Sequence, residues 1–167
     1  LTGRTDLSAG MMLTFLAAIS CYFVTPGIEN QLLAIAVPIL LGAVGGLVNG
    51  ILVGVIRLNS FVSTLGMMSL YTGFVLLFIK QSPSLFGSQD MTVYRFLGQG
   101  SVLGIPTPVI ILAIVAIVSS IVLRRTVYGA RIYAVGSNAS AARYSGISPA
   151  AIIVPVYTVS GLLTGLG

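Results

Sequence analysis

Side chains able to perform covalent or metal chemistry are scarce in this sequence and lie far apart. Its 167 residues contain no histidine, a single cysteine, Cys21, and three acidic residues. Without histidine, neither a Ser/His nor a Cys/His nucleophilic pair can be assembled, and a lone cysteine excludes an internal disulfide or a CxxC motif. The sequence therefore predicts no catalytic residue and no metal site, and it predicts that Cys21 packs as a small apolar residue.

Few polar side chains lie within or at the ends of the long apolar segments, namely Asp6, Ser8, Asn49, Ser63, Thr64, Ser69 and Thr72. An amide in hydrocarbon must bond to another helix or face a wet cavity. Asn49 therefore has two interpretations, an interhelical hydrogen bond or the wall of a polar path. Asp6 could line such a path or could cap a helix N-terminus, where the helix dipole favours a carboxylate.

Membrane-spanning helices must position these residues. The chain is 56% hydrophobic and 7% charged, whereas a soluble domain has about 25% charged residues. The charges leave five uncharged runs of at least 22 residues, and a helix needs roughly 20 apolar residues to cross the hydrocarbon core. The sequence predicts an all-α, polytopic transmembrane helix bundle with about five spans, at residues 7–26, 32–56, 60–79, 105–123 and 149–167.

The few charges also predict the orientation of the spans. Alternating connectors place six of the eight positive residues on one side and leave Lys80 and Arg95 on the other. Cytoplasmic loops are rich in Lys and Arg, so residues 80–104 are predicted to form an outer loop, with a short helix around residues 91–97. This bias explains the net charge of +5 without nucleic acid as a partner. The predicted cytoplasmic residues are Arg4, Arg57, Arg124, Arg125, Arg131 and Arg143.

Small residues mark a close helix contact in the second span. Glycines at every fourth position share one helix face, which lets a neighbouring backbone approach closely. The neighbour is either another helix of the same bundle or a second subunit. These glycines are Gly42, Gly46, Gly50 and Gly54.

The predicted cytoplasmic loop, residues 124–148, contains the signals of a short helix. Asn138 is a good N-cap, and Gly146 suits the position after a helix C-terminus. An isolated helix of about two turns is marginal in water, so this helix should pack against the ends of the spans or against another protein. It is either a mechanical coupling element or a simple connector.

Four segments occur in an order and spacing that resemble one family. The first two are Thr2, Gly3, Asp6, Leu7, Ser8 and Gly10, similar to TGGIDLSxG, and Gly46, Asn49 and Gly50, similar to GxxNG. The third is Phe61, Thr64, Leu65 and Gly66, similar to PFIxTLG. The fourth resembles T-x-x-G-R-x-I-Y-A-x-G-x-N-x-x-A-A-x-x-S-G-I through Thr126, Gly129, Ile132, Tyr133, Ala134, Gly136, Asn138, Ala141, Ala142, Gly146 and Ile147. On these matches, the chain resembles the permease subunits of bacterial ABC importers for ribose, galactose, xylose and similar sugars over essentially its whole length.

Some positions depart from the pattern of that family. Arg4 and Thr5 replace the usual Gly and Ile, and Ser60 replaces a frequent Pro. Ala130 stands where an Arg is common, although the adjacent Arg131 carries a charge. The acidic contact of the importer signature EAAxxxG is absent or supplied elsewhere, because that signature is present only as Ser140, Ala141, Ala142 and Gly146.

The resemblance implies a multi-pass protein of the bacterial inner (plasma) membrane. The chain opens with Leu1 and stops within an apolar run, so we expect a fragment of a permease with about ten spans. The implied partners, besides the lipid bilayer, are a second permease subunit, identical or related, two cytoplasmic ABC ATPase subunits and a periplasmic sugar-binding protein. The chain itself would bind no cofactor, because its only lysine, Lys80, lacks the glycine-rich approach of a P-loop. ATP and Mg would be bound by the ATPase.

The resemblance also assigns roles to two sets of residues. In the cytoplasmic loop, the residues that would couple the permease to the ATPase are Gly129, Arg131, Gly136, Asn138, Ala141, Ala142 and Gly146. The residues of a candidate translocation path are Asp6, Ser8, Asn49 and Thr64.

Two alternative functions stay open. The first is a permease of the same family for branched-chain amino acids or nucleosides, which the motifs at residues 6–8 and 64–66 disfavour. The second is a secondary transporter or channel that needs no ATP. It would require carboxylates or a charged ring within the spans, where Asp6 is the only candidate. An intramembrane protease is excluded, because histidine is absent and Asp6 and Asp90 lie on opposite sides in the predicted topology.

Overall fold

The computed structural model describes residues 3–24, 30–78, 92–102 and 104–167. Within these ranges the chain forms eight helices and one two-stranded ribbon. In chain order the elements are α1 (Ala9–Val24), α2 (Gln31–Gly54), α3 (Ser60–Phe78), α4 (Thr92–Gln99), β1 (Ser101–Val102), β2 (Ile105–Pro106), α5 (Thr107–Arg125), α6 (Val127–Ser137), α7 (Ala139–Tyr144) and α8 (Pro149–Leu166).

Length and apolar composition identify the membrane-spanning helices. Four helices, α2, α3, α5 and α8, are long and apolar enough to cross a membrane, and α1 is a shorter apolar helix of 16 residues. At 1.5 Å per residue, α1 is about 24 Å long, less than the roughly 30 Å of the hydrocarbon core. The predicted polytopic helical bundle is confirmed, and the described residues give four helices of full spanning length and one shorter apolar helix.

The predicted outer loop is only partly covered by the described residues, which leave out residues 80–91 and 103. The remainder forms α4 and the antiparallel ribbon, in which Ser101 lies opposite Pro106. The Val93 N–H donates a hydrogen bond to the side-chain oxygen of Gln31 over 3.1 Å, which ties α4 to the start of α2. The ribbon is a small departure from an all-α chain.

Helices α2 and α8 form the most extensive helix pair of the bundle. Helix α1 packs against α2 and α3, with Met12, Leu16 and Tyr71 forming a buried cluster between α1 and α3. Helix α5 contacts α4 and α6 and buries only Thr107 of its own residues. The packed core is therefore the α2–α8 pair with α1 beside it, and α5 lies at its margin.

A proline inside α2 shapes the contact between α1 and α2. Pro38 has no N–H to donate, so the carbonyl of Ala34 loses its usual helical partner. The hydroxyl of Ser20, in α1, donates a 2.8 Å hydrogen bond to that carbonyl. A broken bond within one helix is thereby replaced by a bond between two helices.

The turn between α2 and α3 spans residues 55–59. Arg57 has a φ of 63°, in the left-handed region that non-glycine residues rarely adopt. The guanidinium of Arg4 donates a 2.9 Å hydrogen bond to the carbonyl of Val53 in the last turn of α2. Asn59 then caps α3, because its side-chain oxygen accepts from the N–H of Phe61 over 2.9 Å.

The predicted cytoplasmic loop contains two helices where the sequence indicated one. Only Thr126 separates α6 from α5, and its hydroxyl oxygen caps α6 by accepting from the N–H of Gly129 over 3.2 Å. Helix α7 is the short helix that the sequence predicted. The side-chain oxygen of Asn138 accepts from the N–H groups of Ser140 and Ala141, each over 3.0 Å. Gly146 follows the helix with a φ of 80°.

Candidate functional site

The structure brings together the four polar residues that the sequence singled out, which we call the polar cluster (Asp6, Ser8, Asn49 and Thr64). The Ser8 hydroxyl donates to the Asp6 carboxylate over 2.7 Å and accepts from the Asn49 amide over 2.8 Å. The Thr64 hydroxyl oxygen accepts from the N–H of Leu7 over 3.3 Å. These bonds join the segment before α1 to both α2 and α3.

Burial defines the character of the polar cluster. Ser8, Asn49 and Thr64 are all 0% exposed, whereas Asp6 is partly exposed, so three of the four members are enclosed between helices. The Asn49 oxygen and the hydroxyls of Ser63 and Tyr71 are buried without a hydrogen-bond partner among the described residues. The Asn49 amide nitrogen therefore makes an interhelical hydrogen bond, while its oxygen is left without one among the described residues.

Two substitutions at Asn49 separate packing from charge in the polar cluster. Asn49→Leu loses one hydrogen bond and also removes the unpaired oxygen, so we expect a destabilisation of about 1 kcal/mol. Asn49→Asp places a second carboxylate beside the Ser8 hydroxyl that already serves Asp6, and we expect a loss of about 3 kcal/mol or more. Thermal unfolding in detergent micelles measures both. Equal losses of stability for the two variants would mean that a second negative charge is not specifically unfavourable at this site.

The glycine face of α2 lies against α8. A β-carbon at Gly46 would overlap the carbonyl oxygen of Tyr157, and one at Gly50 would lie 2.9 Å from the Cα of Val154. Helix α8 contributes its own small residues to this contact, because a β-carbon at Gly161 would overlap the carbonyl of Gly42. The sequence signal for this half was the four-residue spacing of Gly161 and Gly165, which the sequence analysis did not use. In the described residues, the contact is therefore within one chain.

The predicted coupling residues divide into two groups. Arg131, Asn138, Ala141 and Gly146 are exposed, and Gly136 is half-buried. Gly129 and Ala142 are buried, and Ala142 is only 4% exposed. Ala142 belongs to a core cluster that joins α6, α7 and α8 to the end of α2, formed by Val53, Ile132, Val135, Ala142, Ile152, Ile153 and Tyr157.

One exposed residue in this region was missed by the sequence analysis. Tyr144, the last residue of α7, is 92% exposed. By contrast, Tyr128 in α6 is half-buried, and burial raises the pKa of its phenol. The outward face of α7 therefore offers an aromatic ring together with the small side chain of Ala141.

The positive residues of the described chain separate to opposite ends of the bundle. Arg4 bonds to the last turn of α2, and Arg57 and Arg143 line a common cleft at the same end. Arg95 lies in α4, the helix in which the N–H of Val93 donates a hydrogen bond to Gln31, the first residue of α2. Helix α2 is 24 residues long, about 36 Å. This separation is what the positive-inside rule requires of the predicted topology.

Apolar helices whose positive residues are segregated to opposite ends define a multi-pass membrane protein. Residues 1–167 match the family described as branched-chain amino acid transport system / permease component, and the chain belongs to that family. No solved structure matches the chain.

Several curated proteins are similar to this chain. It is 39% identical to the Ribose import permease protein RbsC of Escherichia coli (strain K12), over 99% of this chain and 52% of that protein. It is 34% identical to the D-allose transport system permease protein AlsC of Escherichia coli (strain K12), over 99% of this chain and 50% of that protein. It is 33% identical to the Ribose import permease protein RbsC of Bacillus subtilis (strain 168), over 99% of this chain and 51% of that protein. The chain spans about half the length of these curated relatives.

Proposed function

We propose that this chain is part of the permease subunit of an ATP-driven ABC importer, which moves a monosaccharide from a periplasmic binding protein into the cytoplasm. The observation that carries this proposal is similarity along nearly the whole chain to permeases named for ribose and allose. The buried polar cluster and the exposed face of α7 support it. A second permease subunit and two cytoplasmic ATPase subunits that bind ATP and Mg complete the proposed assembly.

The proposed coupling runs through α7. Its exposed face, with Ala141 and Tyr144, contacts the ATPase, while Ala142 on the opposite face is buried in the core cluster. That cluster includes Val53 at the end of α2 and Ile152 in the first turn of α8. Displacement of α7 by the ATPase therefore acts directly on the α2–α8 pair. The two helices move together, because their glycine contact leaves no room for sliding without separation.

The polar cluster is proposed to open when this pair moves. The unfilled valences of Asn49 and Tyr71 suit the hydroxyl groups of a sugar, which both donate and accept hydrogen bonds. No carboxylate other than Asp6 lies among the described residues, so the path is proposed to select for neutral polar solutes. Specificity among sugars then belongs largely to the binding protein.

The second candidate function is an ABC importer permease of the same kind that carries a branched-chain amino acid or a nucleoside instead of a sugar. The matched family is described by branched-chain amino acid transport, and this observation favours a test with leucine as well as ribose. A nucleoside permease is tested by including adenosine. An ATP-independent transporter or channel is the remaining alternative.

Reconstitution of the full-length permease tests these proposals. Proteoliposomes would contain the permease and its ATPase, with the cognate binding protein and labelled ribose, leucine or adenosine on the binding-protein side. We expect ribose uptake that requires ATP with Mg and is absent when the ATPase is omitted. Uptake of leucine or adenosine instead would reassign the solute. Uptake driven by a sodium or proton gradient without ATP would contradict the importer proposal.

A further inference from the structure

A cleft of about 420 Å³ opens at the cytoplasmic end of the bundle, where α2 ends and α8 begins. Its charged lining residues are two arginines, Arg57 from the α2–α3 turn and Arg143 from α7. The rest of the lining is uncharged. It consists of the hydroxyl-bearing Ser148 and of six small or apolar residues, Gly54, Val55, Gly146, Ile147, Pro149 and Ala150. Two elements far apart in sequence thus each contribute an arginine to the lining of one cleft.

No carboxylate balances these two arginines within the described part of the chain. Asp6 is the sole acidic residue there, and its Oδ1 accepts both the hydroxyl and the N–H of Ser8. Asp6 is also not among the residues that line the cleft. The cleft is therefore a concave surface with two positive charges, which favours an anionic ligand.

The backbone of Arg57 supports a role for its side chain in this cleft. Its φ of 63° is a conformation that glycine or asparagine adopts more readily, and arginine has no conformational advantage in it. A turn alone would be better served by either of those residues. The conformation of Arg57 is thus a local cost at a residue that lines the cleft.

The start of α8 adds further attraction for an anion. Its N-cap, Ser148, makes no side-chain capping bond, and both Ser148 and Ala150 line the cleft. Pro149, the first residue of α8, has no N–H. The N–H groups that follow it in the first turn have no partner within the helix, and the dipole places partial positive charge there. This contribution reinforces the two arginines.

Location indicates where the anion comes from. The cleft lies at the end of α2 and the start of α8, two membrane-spanning helices, on the side that the positive residues predict to be cytoplasmic. Phospholipid phosphates of the cytoplasmic leaflet occupy that depth, and basic pockets between spans on this side bind anionic headgroups. We propose that the cleft binds a phosphate group, supplied by the headgroup of an anionic phospholipid, through the guanidinium groups of Arg57 and Arg143.

The test uses the full-length permease purified in detergent and titrated with phosphatidylglycerol or phosphatidylcholine, with bound lipid counted by native mass spectrometry. The variants are Arg57→Asn, which keeps a residue suited to the turn, Arg143→Gln, and the pair together. Arg125→Gln is the matched control, since Arg125 ends α5 and is exposed outside the cleft. We expect phosphatidylglycerol affinity to fall about fivefold for each variant and about twentyfold for the pair, with no change for the control.

Further arms separate the sources of the anion. Inorganic phosphate at millimolar concentration should displace little phosphatidylglycerol, and phosphatidylcholine should bind equally to all variants. Unchanged phosphatidylglycerol affinity in the double variant would overturn the proposal. So would efficient displacement by inorganic phosphate, which would assign the cleft to a soluble anion. Loss of ATPase binding in the double variant with lipid affinity intact would assign it to an acidic protein surface and would also overturn the proposal.

Discussion

A single methyl group at Gly46 is expected to force α2 and α8 apart. In the variant Gly46→Ala, the added carbon would overlap the carbonyl oxygen of Tyr157 and lie 3.1 Å from the Cα of Gly161. Both neighbours are backbone atoms, which cannot turn aside as a flexible side chain can. Overpacking typically costs about 1–3 kcal/mol and occasionally more, and we expect about 3 kcal/mol or more here because the contact belongs to the most extensive helix pair.

Helix α3 offers a matched control. Gly73 lies within a membrane-spanning helix, and a β-carbon there would meet nothing within 4 Å. Gly73→Ala should therefore be neutral or stabilising by up to about 1 kcal/mol, since alanine has the higher helix propensity. Thermal unfolding and the yield of membrane-inserted protein measure both variants. If Gly46→Ala and Gly73→Ala behaved alike, the close approach of α2 and α8 would not be a determinant of the fold.

The second large effect distinguishes two neighbouring alanines in α7. Ala142→Arg would bury a guanidinium in the core cluster beside Ile132 and Ile152, where no carboxylate is present among the described residues. An uncompensated buried charge costs about 3–5 kcal/mol. We expect α7 to detach from the bundle and the protein to lose thermal stability.

Ala141→Arg should have the opposite profile. Ala141 is exposed, so the added side chain extends into solvent and leaves the unfolding temperature close to that of the parent. In the proposed function the same side chain occupies the surface that the ATPase contacts, and we expect ATPase co-purification and ATP-driven uptake to be lost. A stable Ala142→Arg protein, or an Ala141→Arg protein with full ATPase binding and uptake, would contradict this assignment of the two faces.

Hydropathy and the positions of the charges predicted the bundle, because membrane insertion depends on the length of apolar segments and on the charges that flank them. The caps of α7 were predictable for a similar reason, since Asn138 and Gly146 act on residues a few positions away. Helix α6 was missed, because Gly129 and Gly136 lower its helix propensity. Its stability depends on tertiary packing through Ile132 and Val135, which local sequence signals do not register.

The candidate site was predictable as a set of residues and not as an arrangement. Polarity within apolar segments gave seven residues, and the family motifs reduced them to Asp6, Ser8, Asn49 and Thr64. No local signal specifies that Ser8 bridges Asp6 and Asn49. Likewise, the glycine spacing in α2 predicted a close contact without identifying the partner. The opposite orientations of Ala141 and Ala142 also required the structure, because alanine is compatible with both buried and exposed positions.

Because a single residue joins α5 to α6, a change in the orientation of α6 also reorients α5. Only Thr126 lies between the two helices. A β-carbon at Gly129 would overlap the carbonyl oxygen of Leu123, so the end of α5 and the start of α6 are in close backbone contact. With 19 residues, α5 is about 28 Å long, so a rotation of about 10° at the end joined to α6 would move its other end by about 5 Å. Among the described residues α5 contacts α4 as well as α6, so a tilt of α6 would be passed through α5 to α4.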